Sequence, residues 1–289
     1  MKVSMVTIGA LAAFLLIALA CFPATAYDSQ AIQYYNEGVV YQKAGQNAEA
    51  VVSYDRALAI DPNIVNAWYN RGKALSNLGR YAEAVDSYDW VLAIDPKDGE
   101  TWGDRGNALY ELGRYAEAVD SYDRALAIDP GIPEAWHNRG IALKLLGRYA
   151  EAVDSYDRAL AIDPKYANAW YMRGIALDNL GRYAEAVDSY DRGLAINSSY
   201  ADLWSHRGNA LANLGRYAEA VDSYDRALAI DPQNAHAKDS REIALAELDK
   251  NPAAAMTASK TPSAISPGFE AVLGIMSLAG VAILLGRRC

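Results

Sequence analysis

An all-α array of stacked helical hairpins is the fold this sequence predicts, and three observations predict it. Trp68, Trp102, Trp136, Trp170 and Trp204 stand 34 residues apart, and so do Gly72, Gly106, Gly140, Gly174 and Gly208. A fixed period of that length marks a repeat architecture. Within each period apolar residues recur at three- and four-residue steps, as in Trp68, Gly72 and Leu75, then Ala84, Tyr88, Val91 and Leu92. That is helical periodicity, without the alternation of a strand. Each period also carries two stops, Gly79 and Asp95-Pro96 in the copy 65–98, so one copy is two helices.

From the N-terminus, Lys2, the apolar run Val3 to Phe22 and the small residues Ala24-Thr25-Ala26 form the pattern of a secretory signal peptide over residues 1–26. Cleavage after Ala26 is expected. An uncleaved anchor is the alternative, because the apolar run is long for such a segment. Cys21 makes a poor lipoprotein cysteine, since Leu19 is misplaced for that motif.

Six copies follow within 27–234, at 31–64, 65–98, 99–132, 133–166, 167–200 and 201–234, the first weaker with Tyr34 and Gly38 at the matching places. In the copy 65–98 the first helix is expected over about Val65 to Leu78 and the second over about Tyr81 to Ile94. Small Gly72 and Ala84 let the two helices approach, and Trp68 and Tyr88 are expected to fill the core beside them. One hairpin is too small to enclose a core, so the copies must stack. Arg71, Arg105, Arg139, Arg173 and Arg207 recur at one position. Recurrence in five copies favours a structural role, pairing with a repeated acid such as Asp89, over a ligand contact. Residues 235–249 keep helical spacing with Lys238 in place of Trp, as expected of a polar capping helix. Residues 250–266, rich in Ala, Ser, Thr and Pro, read as a flexible linker.

The chain ends in an apolar stretch, Phe269 to Gly286, about 27 Å long as a helix and so close to a bilayer core in thickness. Arg287 and Arg288 then place this end in the cytoplasm. Pro267-Gly268-Phe269, the apolar helix and the basic end make residues 267–289 resemble the archaeal PGF-type C-terminal sorting signal. That resemblance implies an archaeal surface protein whose terminal helix is removed by a membrane-embedded archaeosortase and replaced by lipid. Retention of the helix as a membrane span is the alternative.

The repeated unit resembles the tetratricopeptide repeat (TPR): Trp68, Gly72, Leu75, Ala84, Tyr88 and Pro96 stand at its signature places, with Arg71 and Asn197-Ser198 as departures. The resemblance implies a helix-turn-helix solenoid, a right-handed superhelix, whose concave groove is lined by first-helix positions 2, 5, 6, 9, 12 and 13 and recognises a protein or peptide. On that frame the groove candidates are Tyr35, Tyr69, Asn70, Lys73, Asn107, His137, Asn138, Tyr171 and Asn209. Tyr offers contact area at low entropic cost and Asn can bond an extended backbone. Tyr69 and Tyr171 are expected to serve a ligand rather than the fold. The clamp by which some relatives bind acidic tails is absent, since Gly103, Asn168 and Met172 replace its basic residues.

Composition narrows function further. The formal net charge is −9, and five basic residues but one acid lie outside 27–249, so the central block is more acidic than the whole. Such a surface repels phosphate backbones, and no nucleic-acid partner is expected. The two Cys, Cys21 and Cys289, leave no thiol between them, and there are three His. No cofactor or metal is expected. No G-x-G-x-x-G, P-loop, HExxH or G-x-S-x-G occurs, and the acids recur at fixed repeat positions as on a solvated face, so the chain reads as no enzyme. A surface-held interaction scaffold is the reading that results. A structural spacer or envelope stalk, and an accessory subunit assembling an envelope enzyme, are its alternatives. Asn197-Ser198-Ser199 is the chain's one N-x-[ST] sequence and makes Asn197 a candidate glycan acceptor.

Overall fold

The computed structural model describes residues 24–250. The terminal apolar span, the linker and nearly all of the expected signal peptide lie outside them. Among the described residues there are thirteen α-helices and no strand, and no helix is long and apolar enough to cross a membrane. They form two compact units, which divide after Ile128. The first holds α1 (Ala24–Lys43), α2 (Asn47–Ile60), α3 (Val65–Asn77), α4 (Tyr81–Ile94), α5 (Gly99–Glu111) and α6 (Tyr115–Ile128). The second holds α7 (Pro133–Leu145), α8 (Tyr149–Ile162), α9 (Ala167–Asn179), α10 (Tyr183–Ile196), α11 (Ala201–Asn213), α12 (Tyr217–Ile230) and α13 (Ala235–Lys250).

Each first helix ends where the sequence places a glycine. Gly79 has φ 73°, a left-handed conformation that costs a side-chain-bearing residue steric energy. With the chain so turned, Arg80 N donates to Leu75 O at 2.9 Å and Gly79 N to Ser76 O at 3.0 Å, which satisfies the last carbonyls of α3. The same pair of bonds recurs at Gly113, Gly147, Gly181 and Gly215.

The two helices of a hairpin meet through a tyrosine lying on a glycine. A Cβ added to Gly140 would sit 2.6 Å from Tyr156 Cε1, so only glycine admits the ring. Tyr54, Tyr88, Tyr122, Tyr156, Tyr190 and Tyr224 are accordingly among the largest fully buried side chains. The tryptophans do not share that interior, contrary to expectation. Trp136 is half-buried, packed against Ala159, Leu160 and Ala169 at the margin of the core. Its indole N–H needs an acceptor, and finds one in Pro130 O at 2.9 Å, in the turn that precedes α7. The tryptophan thus fastens the inter-copy turn while the tyrosine fills the hairpin.

That bond explains why Asn197-Ser198 can replace Asp-Pro. In the usual turn Asp95 Oδ1 accepts from Lys97 N at 2.9 Å and Pro96 O accepts from the Trp102 indole at 3.0 Å. In the variant turn Asn197 Oδ1 accepts from Ser199 N at 3.1 Å and Ser198 O from the Trp204 indole at 3.0 Å. Both jobs need only an oxygen at the first place and a backbone carbonyl at the second.

The recurrent arginine is structural. Arg105 Nε donates to Asp89 Oδ1 at 2.6 Å and its Nη1 donates to Ser121 Oγ at 2.7 Å. One guanidinium on α5 therefore bridges α4 of the preceding copy and α6 of its own. Arg71 does the same with Asp55 and Ser87, Arg173 with Asp157 and Ser189, and Arg207 with Asp191 and Ser223. The guanidinium side chains are only 14–17% exposed, whereas the acids are about half exposed. Arg241 on α13 bonds Asp225 at 2.5 Å, so the terminal helix docks through the same Arg–Asp contact as the first helices before it. Asn234 opens it, accepting from Ala237 N at 2.9 Å.

Two glycines in comparable helical settings should respond oppositely to alanine. Gly140→Ala must displace the Tyr156 ring and should cost about 1–3 kcal/mol. Gly103 lies in α5 with nothing within 4 Å of an added Cβ, so Gly103→Ala should gain about 0.5–1 kcal/mol. Urea unfolding measures both. Arg173→Met should cost about 1–2 kcal/mol and Asp157→Asn less than about 1 kcal/mol, because only the arginine is largely buried. A double-mutant cycle should show the two coupled.

Candidate binding faces

The hydroxyl of each buried tyrosine carries the fold's demands to the inner face of the first helices. It needs a partner, and for five of the six tyrosines that partner is a side chain at position 9 or 12, where the copies differ. Tyr54 donates to Gln42 at 2.7 Å, Tyr122 to Asn107 at 2.8 Å, Tyr190 to Asp178 at 2.5 Å and Tyr224 to Asn209 at 2.8 Å, while Tyr88 and Ser76 share a bond of 3.3 Å. Residues expected to await a ligand are thus partly engaged already. Asn107 and Asn209 each give up the amide oxygen, and Asn209 Nδ2 also lies 3.1 Å from His236 Nε2.

In the first unit the face is acidic. Tyr69 OH lies 2.5 Å from Glu100 Oε1 and 3.1 Å from Asp104 Oδ2, and Lys73 Nζ lies 3.4 Å from the same hydroxyl and 3.9 Å from Glu100. Burial, then the hydrogen bonds and charges of these acids, hold the Tyr69 phenol far above its usual range. Burial also raises the Asp104 carboxyl, partly offset by Tyr69 and Lys73. Asn70 Nδ2 donates to Tyr35 OH at 3.3 Å. Beside this cluster, Lys73, Ser76, Asp104, Asn107 and Glu111 help line a cleft of about 180 Å³.

In the second unit the face is aromatic and poorly neutralised. His137 is 6% exposed, with its ring centroid 4.8 Å from Tyr166 and 5.7 Å from Tyr156. It supports its neighbours and is not open to a ligand. Burial, reinforced by the Lys144 charge, lowers its pKa to about 4. Tyr171 is set among Tyr200 and His206, each at 5.3 Å, and Tyr190 at 6.3 Å. Neither Tyr69 nor Tyr171 is therefore a side chain held out for a ligand alone, since each is tied into its own unit. Asn138 is half-buried on α7 beside His137. Met172 and Lys144 meet at 3.6 Å. Asp178 Oδ1 is buried without a partner, and burial raises the carboxyl to about 6, partly offset by the Tyr190 bond.

Three residues that matter here, Asp104, Lys144 and Asp178, were not among the candidates. All sit at first-helix positions 6 or 12, and what marks them is an ionisable side chain at a position where most other copies carry none. Asn197 is exposed in its turn. Pro267, Gly268, Phe269, Arg287 and Arg288 lie outside the described residues. Among the described residues no group of three or more His, Cys, Asp or Glu is placed to hold a metal.

The opposite edges of the hairpins carry repeated Arg–Trp stacks. Arg139 and Arg158 lie 5.8 and 5.4 Å from the Trp136 ring, and Arg105 and Arg124 lie 5.6 and 5.1 Å from Trp102. Around Trp68 one arginine is replaced by Trp90, stacked at 5.4 Å and 54% exposed.

This construction, paired helices on a 34-residue period closed by Gly, Tyr and Trp at fixed places, defines a class of helical-repeat protein. The chain belongs to the tetratricopeptide-repeat family: family models described as TPR repeat match residues 38–79 and 106–147, and models described as tetratricopeptide repeat match 65–98, 133–166 and 171–235. A PGF-CTERM motif, the archaeosortase sorting signal, matches residues 266–288 and marks an archaeal protein anchored at the cell surface. Among solved structures, MamA is 26% identical with a TM-score of 0.55, covering 57% of this chain and 96% of its own. YrrB, described as a TPR protein with an unusual peptide-binding site, is 21% identical with a TM-score of 0.60, covering 65% and 97%. PilW, described as a type IV pilus biogenesis factor, is 23% identical with a TM-score of 0.58, covering 72% and 96%. The last two likenesses concern the fold alone. No curated protein matches the chain.

Asp178 and His137 give stability opposite pH dependences. Asp178 has a folded pKa raised from 3.8 to about 6, so the fold loses stability as pH rises through that window. His137 has one lowered from 6.5 to about 4, so the fold gains stability as pH rises between those values. Asp178→Asn should therefore add about 1–2 kcal/mol at pH 7, after allowance for its partial exposure. It should also make the melting temperature rise more steeply from pH 4.5 to 6.5 than that of the unaltered chain, since one of the carboxyls that oppose the rise is gone. Thermal unfolding across that range checks both.

Proposed function

We propose that this protein is an exported scaffold, held at the outer face of the archaeal cell membrane, whose first-helix faces recognise a segment of a partner protein. One observation carries the reading: the copies vary along the first helices, where a partner would touch, and are nearly constant in the second helices. Helices α6, α8 and α12 have the identical sequence YAEAVDSYDRALAI, whereas first-helix position 6 runs Asn36, Asn70, Asp104, Asn138, Met172, His206. Constant second helices serve stacking, which every copy needs alike. A face that differs from copy to copy presents a different surface at each step, as recognition of a heterogeneous peptide requires. The peptide-binding site named for YrrB supports the same use of such a fold. Recognition needs no catalytic group, and the buried acids and histidines already serve packing.

A spacer reading draws on the same constancy of the second helices and the evenly repeated Arg–Asp bridges. The two readings separate by crosslinking and affinity capture with the full chain from intact cells. A scaffold should enrich one or a few partners. Lys73→Ala with Asn77→Ala, on exposed positions of the 180 Å³ cleft, should reduce that capture several-fold while the melting temperature moves by less than about 3 °C. A spacer should enrich nothing that the double variant loses.

Anchoring is proposed to proceed by removal of the helix from Phe269 onward. Proline and glycine are both poor helix formers, so the sequence Pro267-Gly268 suits a recognition element that a processing enzyme reads just before the apolar stretch. Pro267→Ala with Gly268→Ala should accumulate a longer, unprocessed chain on denaturing gels. Recovery of the peptide through Gly286 and Arg287 from mature surface protein would show retention instead. Asn197, exposed in a turn that tolerates substitution, is the proposed glycan acceptor, to be checked by the mass of its peptide from native protein.

A further inference from the structure

Lys144 is a cation on the inner face of the second unit with no anion beside it. It lies on α7, seven residues and two helical turns after His137, hence on the same side of the helix. Its Nζ is half-buried and lies 3.6 Å from Met172 Sδ, a thioether that accepts only weakly. No carboxylate comes within ion-pair distance of it among the described residues. Lys73, the other inner-face lysine described here, has Glu100 at 3.9 Å. The consequences appear in its neighbours. Burial lowers the pKa of Lys144 itself, and its charge adds to the lowering of both His137 and His206. His137 Nδ1 is buried without a partner on the same helix. An ammonium so placed costs solvation that no carboxylate among the described residues returns.

We infer that the inner face of α7 and α9 seats an acidic side chain of the partner segment on Lys144, flanked by apolar contacts to Ile141, Met172 and Ile175. A carboxylate there would replace the lost water with charge-assisted hydrogen bonds. The three flanking residues give the face an apolar strip beside the charge. The partner is therefore a segment in which an acid stands among aliphatic residues. This deepens, and rests on, the reading of the first-helix faces as binding surfaces. It does not use the clamp positions occupied by Gly103, Asn168 and Met172 in their basic form, since those are vacant of charge.

The overall charge of −9 makes the test discriminating, because non-specific attraction would favour basic peptides. The probes are three pools of fluorescent twelve-residue peptides in which aliphatic residues alternate with Glu, Gln or Lys. Binding to the full chain in detergent is read by fluorescence anisotropy. The Glu pool should bind at least tenfold more tightly than the Gln pool. Lys144→Met should abolish that difference, Lys144→Arg should retain most of it, and Lys165→Met, in an exposed turn, should leave it unchanged. If the Gln pool binds as well as the Glu pool, or Lys144→Met changes nothing, the assignment falls while the binding face stands. If no pool binds, the reading of the face falls as well. Melting curves of each variant show whether a loss reflects unfolding, and the Arg variant keeps the result interpretable if the Met variant is unstable.

Discussion

The contact on which the rest of this fold depends is the tyrosine ring lying against glycine at the centre of each hairpin. It lets two helices approach at the distance set by a ring and no Cβ, and it places one of the largest fully buried side chains at the centre of each copy. The tyrosine is also polar at its tip. Its hydroxyl must be satisfied, and the geometry brings it out at the inner face, where Gln42, Ser76, Asn107, Asp178 and Asn209 meet it in their respective copies. One side chain thereby joins the constant interior to the variable inner face.

Stacking within each unit rests on a second, more directional device. A guanidinium is planar and presents several donors in fixed directions, so it can bond an acid on one second helix and a serine on the next at once. Apolar packing between helices fixes distance well but sliding along the axis poorly. The Arg–Asp–Ser bridge supplies the missing register, and its Arg–Asp half recurs where Arg241 ties the terminal helix to Asp225. One of the acids that the sequence offers at fixed positions in each copy therefore has a structural role while remaining about half exposed.

The two units use their inner faces differently although they are built alike. The first gathers Glu100, Asp104 and Glu111 around one lysine, and the second places Lys144 among His137, Met172 and His206. Both are local departures from the repeated pattern, and both strain the titration of their neighbours because burial precedes neutralisation. Opposed shifts at Asp178 and His137 tune stability across the mildly acidic range without altering the fold.

Period, helix ends, the small residues that let the hairpin close and the recurrent arginine were all legible in the sequence, because each is a local requirement repeated until chance is excluded. The helices α3 and α4 lie where Val65 to Leu78 and Tyr81 to Ile94 were expected, with Leu78 serving as the cap of the first. What repetition cannot convey is which of two large aromatics is enclosed, since Trp and Tyr both recur. Only packing showed Tyr inside and Trp at the margin, bonded to the turn. The acid that each arginine meets was likewise ambiguous, because Asp89 belongs to its own copy in sequence but pairs with Arg105 of the next in space. The binding face was legible as a set of positions and not as a chemistry. Whether His137 faces a partner or a core, and whether Lys144 finds an acid, depends on residues from helices far apart in the chain, and that proximity is created only when the helices pack.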